Sequence, residues 1–131
     1  SGGNFVRGAG DIIDTHYYPQ PWPSFWDRDM INVLGEYGGV GCAVGGHLWQ
    51  PDENWGYIQY KNVDEVTKVY VDYTVDLSYQ LNEKGTCAAV YTQISDVEIE
   101  VNGLMTYDRK VLKVRRDDVR NANLRVIGLL R

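Results

Sequence analysis

Three runs of this 131-residue chain place chemically capable side chains where a buried strand should end. Asp11–Tyr17 leads into Thr15-His16-Tyr17-Tyr18, Ile31–Glu36 closes on Glu36-Tyr37-Gly38-Gly39, and Thr86–Thr92 closes on Tyr91-Thr92-Gln93. Asp96, Glu98, Glu100 and Asn102 follow the third run, while Trp22, Trp26, His47, Trp49, Trp55 and Tyr57 lie in the connections. Acids and amides bond hydroxyl groups, and flat rings stack on pyranose faces, so this mixture predicts a carbohydrate site. Glu36 is the candidate reactive carboxylate, because the Gly-Gly turn beyond it lets a ligand approach the backbone closely. His16, Tyr37, Trp49, Tyr91, Gln93, Glu100 and Asn102 are the candidate substrate contacts. Asp96, Glu98 and Glu100 also suit the wet face of a hairpin, and Trp22 and Trp26 also suit a cap over the end of the fold.

Other chemistries fit less well. Cys42 and His47 lack a second ligand pair at metal-site spacing, so no metal is expected. Gly38-Gly39-Val40-Gly41 lacks the Lys-Ser/Thr pair of a phosphate loop, and no cofactor is expected. The net charge is −5, and Arg115-Arg116 is the one basic cluster, which argues against a nucleic-acid partner. No apolar run has the length of a membrane span, so no membrane partner is expected. The opening Ser-Gly-Gly-Asn has no leader pattern, which leaves the compartment open. Cys42 and Cys87 sit in apolar surroundings and read as buried free thiols. Ten Tyr and four Trp against two Phe give most rings a polar tip, which suits a half-wet cleft.

The positioning elements follow from periodicity. Ile31–Glu36 and Thr86–Thr92 are nearly continuous apolar runs, which predicts parallel strands covered on both faces. Val66, Val69, Tyr70, Tyr73, Leu77 and Leu81 recur at three- and four-residue steps and predict a helix over 63–83. Asn62 is its expected N-cap, Glu65 completes a capping box, and Lys84-Gly85 ends it. A second helix is expected over 117–130, with Val119, Leu124, Ile127 and Leu130 inward. A short helical turn is expected near Ser24–Met30. Val97–Val101 alternates strictly ahead of Asn102-Gly103, which makes a small hairpin the local alternative within the last loop.

Taken in order, D-I-I-D-T-H-Y-Y (11–18), V-L-G-E-Y-G-G (33–39) and A-A-V-Y-T-Q (88–93) resemble strands six to eight of the catalytic barrel of family 2 glycoside hydrolases, the β-galactosidase and β-glucuronidase family. The resemblance runs from Gly10 to Val114. It implies an α/β fold, the C-terminal portion of a (β/α)8 TIM barrel with parallel strands and covering helices, filling residues 1–131 as one fragment. It also implies a retaining hydrolase with Glu36 as nucleophile and Tyr17 as the hydroxyl bonded to it. The strand-four Asn-Glu pair carrying the acid/base falls outside this chain, Ser1–Asn4 resembles the tail of strand five, and the N-terminal half of the barrel is the expected partner. Two departures leave the sugar open: Tyr91 stands where Trp is common, and Gly-Gly-Val-Gly replaces the β-galactosidase continuation after Glu-Tyr. Two rivals stand beside this reading: a non-catalytic carbohydrate-binding module, and a fragment acting only by association, its exposed strand edges favouring self-association.

Overall fold

The computed structural model describes residues 3–4, 8–23 and 25–129. Strands β1 (Ile12–His16), β2 (Ile31–Gly38) and β5 (Thr86–Thr92) form one parallel sheet in the order β1-β2-β5. Two short strands, β3 (Val40–Gly41) and β4 (Ile58–Gln59), pair in parallel as a second sheet. The helices are α1 (Val63–Lys84) and α2 (Arg116–Gly128).

The expected barrel portion is overturned by this architecture. In a (β/α)8 barrel a helix follows each strand, but no helix links β1 to β2 among the described residues. Pro19, Pro21 and Pro23 stand in that connection, and each removes a helical N–H. The expected helical turn near Ser24–Met30 is a simple turn at Arg28-Asp29, and Ser24 itself lies outside the described residues. The β2–α1 connection holds a second small sheet instead of leading directly to a covering helix.

α1 forms as its sequence dictates. The Asn62 side chain accepts the Glu65 N–H at 3.0 Å, the Glu65 carboxylate accepts the Lys61 N–H at 2.9 Å, and Gly85 closes the helix in the left-handed region at φ 72°. Val66, Tyr70, Tyr73 and Leu77 are buried against Leu34, Tyr37, Val40 and Cys42. Each such side chain contributes about 1.5–3 kcal/mol on leaving water. α2 packs through Val119 and Ala122, and the Tyr70 hydroxyl donates to Asn123 Oδ1 at 3.0 Å. Leu124 and Ile127, expected inward, are 48% and 47% exposed, and Leu130 lies outside the described residues.

Helical cover reaches one face of the large sheet. Ile13, Thr15, Asn32 and Leu34 are buried, whereas Ile12, Ile31 and Val90 are exposed, so strands covered on both faces are not what forms. The thiol reading also splits: both cysteines are free, Cys42 is buried and Cys87 is exposed. The 97–101 segment forms no regular strand, but Val97 and Glu100 pair antiparallel as a single bridge, with the turn at Glu98-Ile99 rather than at Asn102-Gly103. Val97 and Glu100 exchange backbone hydrogen bonds around a tight turn in which Glu98 has φ 52°.

Candidate carboxylate site at the end of the parallel sheet

Glu36 reaches the open end of the sheet through an irregularity in β2. Thr15 pairs with Leu34 but His16 pairs with Glu36, and on the other side Leu34 pairs with Ala89 while Tyr37 pairs with Tyr91. Such a bulge re-aims the side chains beyond it. Buried positions run Asn32, Leu34 and then Tyr37, so the alternation changes phase at Gly35-Glu36. Glu36 is thereby released from the helix-covered face, and its side chain is 43% exposed. A Cβ on Gly35 would lie 1.9 Å from Asp14 Oδ1, so the bulge has room only for glycine beside Asp14.

Asp14 and His16 alternate on one side of β1, and Tyr18, in the bend two residues past the strand's end, reaches the same carboxylate. His16 Nε2 lies 3.3 Å from Asp14 Oδ2, and His16 Nδ1 lies 3.2 Å from Glu36 Oε2. The Tyr18 hydroxyl donates to Glu36 Oε2 at 2.5 Å and lies 2.9 Å from Thr92 Oγ1. Burial, followed by that bond to Glu36, pushes the Tyr18 phenol well above its usual range, so it stays protonated as a donor.

An aromatic wall continues from Tyr18. Its ring stacks on Tyr57 with centroids 3.7 Å apart and planes 2° apart, and Trp55 meets Tyr57 edge to face at 5.5 Å. Gly39 has φ 64°, and a Cβ there would sit 2.4 Å from Tyr57 and 3.1 Å from Tyr18. The glycine therefore makes room for the stack. A polar chain forms the next stretch of wall. Gln93 Nε2 donates to Asn102 Oδ1 at 2.7 Å, and Asn102 Nδ2 donates to Glu100 Oε1 at 2.8 Å. Trp55 is tied to this segment through Trp55 N–H to Ile99 O at 2.9 Å and Val101 N–H to Trp55 O at 2.8 Å.

Several expected site residues go elsewhere. Tyr17 does not supply the hydroxyl on Glu36: its backbone N–H donates to the Glu36 carbonyl at 3.0 Å, and Tyr18 makes the side-chain bond. Tyr37 and Tyr91 belong to the core, edge to face at 5.5 Å, because the phase change sends Tyr37 under α1. Trp49 is 53% exposed and packs on Tyr107, not on the Glu36 cluster. Trp22 packs on Tyr79, and Trp26 lies beside Gly85 at the far end of α1. His47 Nδ1 pairs with Asp108 Oδ2 at 2.9 Å, linking two loops. Among the described residues no group of three or more His, Cys, Asp or Glu is placed to hold a metal, and no helix is long and apolar enough to cross a membrane.

Sequence reasoning gave no role to Asp14, put the Tyr18 hydroxyl's role on Tyr17, and assigned no contact to Thr92 or Lys113. Lys113 is fully buried, and its ammonium donates to Cys42 O at 3.0 Å, Val101 O at 2.9 Å and Asp96 Oδ1 at 2.5 Å. Asp96, expected on a wet face, is buried by this contact and also accepts the Gly103 N–H at 2.8 Å. The alternate spacing of Asp14 and His16 was the available signal for Asp14. No family model matches the chain, and no curated protein matches it.

Proposed function

We propose that Glu36 is the nucleophile of a retaining glycoside hydrolase site acting on O-glycosidic bonds. The observation that carries this reading is the Glu36 carboxylate at a strand end, holding the Tyr18 hydroxyl at 2.5 Å beside the stacked Tyr18–Tyr57 pair. In such a reaction the carboxylate attacks the anomeric carbon as the bond to the leaving oxygen breaks, and that oxygen takes a proton from a general acid. Water then hydrolyses the glycosyl ester, returning Glu36 to its ionised state with retention of configuration. Tyr18 and His16 hold the attacking oxygen in place. Trp55 and Tyr57, 42% and 50% exposed, are the aromatic surface beside the stack that the sugar would meet. The acid that faces Glu36 across the sugar, about 5–5.5 Å away in retaining enzymes, comes from outside these residues in this reading. A separate chain segment bearing that acid is the partner the reaction requires.

A covalent trap tests this. A dinitrophenyl 2-fluoro-glycoside has a leaving group that needs little protonation, so it can label a nucleophile without the acid. Across galactoside, glucoside, mannoside and glucuronide probes, an adduct is expected on the Glu36 peptide and none in Glu36→Gln. An adduct on another carboxylate, or none from any probe, overturns the assignment. The chain alone is expected to turn over no ordinary nitrophenyl glycoside, since the missing acid is worth about 10²–10⁴-fold. Turnover above the Glu36→Gln control would place the acid within these residues.

A further inference from the structure

We infer that Thr92 is a positioning residue for the Glu36 carboxylate, acting through Tyr18 as the donor that anchors the phenol. This inference rests on the glycosidase reading above and adds a residue to its machinery. The Tyr18 hydroxyl carries one proton, which goes to Glu36 Oε2 at 2.5 Å. The 2.9 Å contact between the same hydroxyl and Thr92 Oγ1 then has one consistent direction: Thr92 donates and the phenol oxygen accepts. Burial and then the Glu36 bond raise the Tyr18 phenol, and the Thr92 bond opposes that rise, which is the sign a donor to its oxygen gives. The chain therefore runs from Thr92 to Tyr18 to Glu36, and each donation along it polarises and strengthens the next.

The three groups come from three neighbouring elements. Glu36 stands on β2, Tyr18 lies just past β1 and Thr92 ends β5, so the phenol reaches across the central strand of the sheet. Two contacts define where it sits. Stacking on Tyr57, with planes 2° apart, sets the plane of the ring, and Thr92 sets where the hydroxyl lies within that plane. Thr92 is itself held in place. It pairs in register with Gly38, and its carbonyl accepts the Gly39 N–H at 2.8 Å. Gly39 is also the residue that leaves room for the stack, so the Thr92 donor and the Tyr18 ring are tied to one backbone turn. Without the Thr92 hydroxyl, Tyr18 keeps its bond to Glu36 but loses its second anchor, and the attacking oxygen is held from one point fewer.

The test follows the rate at which a dinitrophenyl 2-fluoro-glycoside labels Glu36 in the 131-residue chain. Thr92→Val keeps the branched shape and removes the donor, and it is expected to label about five- to tenfold more slowly, the worth of one neutral hydrogen bond. Thr92→Ser restores the donor and is expected to label within about twofold of the parent. In a Tyr18→Phe background the Thr92→Val change is expected to cost less than about twofold, because the group it acts through is gone. Circular dichroism confirms the parental fold of each variant, and Thr92→Ala, with the same expected loss, replaces Thr92→Val if that variant does not fold. A rate unmoved by removing the hydroxyl overturns the inference. So does a Thr92→Ser variant as slow as Thr92→Val, or an equal loss in the Tyr18→Phe background, since either assigns the effect to packing at the end of β5. If the parent is labelled at Glu36 and these results fail, the nucleophile stands and only the role of Thr92 falls. If no probe labels the parent, both fall together.

Discussion

Replacing Lys113 with methionine should destabilise this chain more than any surface change, through a route the geometry defines. The Lys113 and Asp96 side chains are 0% and 1% exposed, and the ammonium is shared among Asp96 and the Cys42 and Val101 carbonyls. Methionine keeps the stem's packing but removes every donor. Val101 O still accepts the Cys42 N–H, so the main loss is a buried carboxylate without its cation. Breaking a buried pair from one side costs about 3–5 kcal/mol, a large share of the roughly 5–15 kcal/mol that stabilises a typical domain. At a urea dependence of about 2 kcal/mol per molar, the midpoint should fall by about 2 M. Adding Asp96→Asn to Lys113→Met removes the stranded charge while leaving an oxygen for the Gly103 N–H. It should recover about 1.5–3 kcal/mol. Burial pushes the Asp96 carboxyl up and the Lys113 ammonium down. An acid raised in the fold binds extra protons there, so its contribution is lost as pH rises through the folded value. The Lys113→Met deficit should therefore be smaller near pH 4 than at pH 8. Urea unfolding of the parent, both single variants and the double variant, followed by circular dichroism at both pH values, checks this. A loss under about 1 kcal/mol, or no recovery in the double variant, would refute the reasoning.

Three further outcomes are expected. His47, then Thr106, hold the Asp108 carboxyl well below the usual range, so its contribution is present above about pH 4 and is lost as pH falls through the depressed folded value; Asp108→Asn should flatten the acid limb of a stability-versus-pH curve. Burial raises Tyr18, Tyr37, Tyr70, Tyr73 (pushed up to about 12) and Tyr91, half of the ten phenols, so ultraviolet titration should show these ionising only as the chain unfolds, with stability falling above about pH 10. Tyr18→Phe should slow covalent labelling of Glu36 about 10²-fold, whereas Tyr17→Phe stays within about threefold; the reverse order would return the role to Tyr17.

Local signals in the sequence located the elements well where one residue type dominates the outcome. Asn62, Glu65 and Gly85 bound α1 because capping geometry depends on residues within one turn of each end. Assembly was less legible. Nothing in a strand's own residues states whether both faces will be covered, and the apolar run Thr86–Thr92 reads the same whether one helix or two pack on it. Lys113 and Asp96 stand 17 positions apart, and their pairing depends on how two loops fold over Cys42. A charged residue in a loop reads as solvated until that fold is known.

The candidate site turned on a single glycine. Strict alternation through β2 from Leu34 would place Glu36 on the buried face, where an unpaired carboxylate is costly. Gly35 breaks that alternation, and an isolated glycine in a strand is itself a bulge signal. With the phase change in place, Tyr37 fills the core and Glu36 is free to meet the next strand. His16 pairs in register with Glu36 and contacts its carboxylate, and Asp14, two positions before it on β1, shares that side. The glycine thus decides which carboxylate is presented, and the bend just past β1 brings the Tyr18 hydroxyl, not that of Tyr17, onto it.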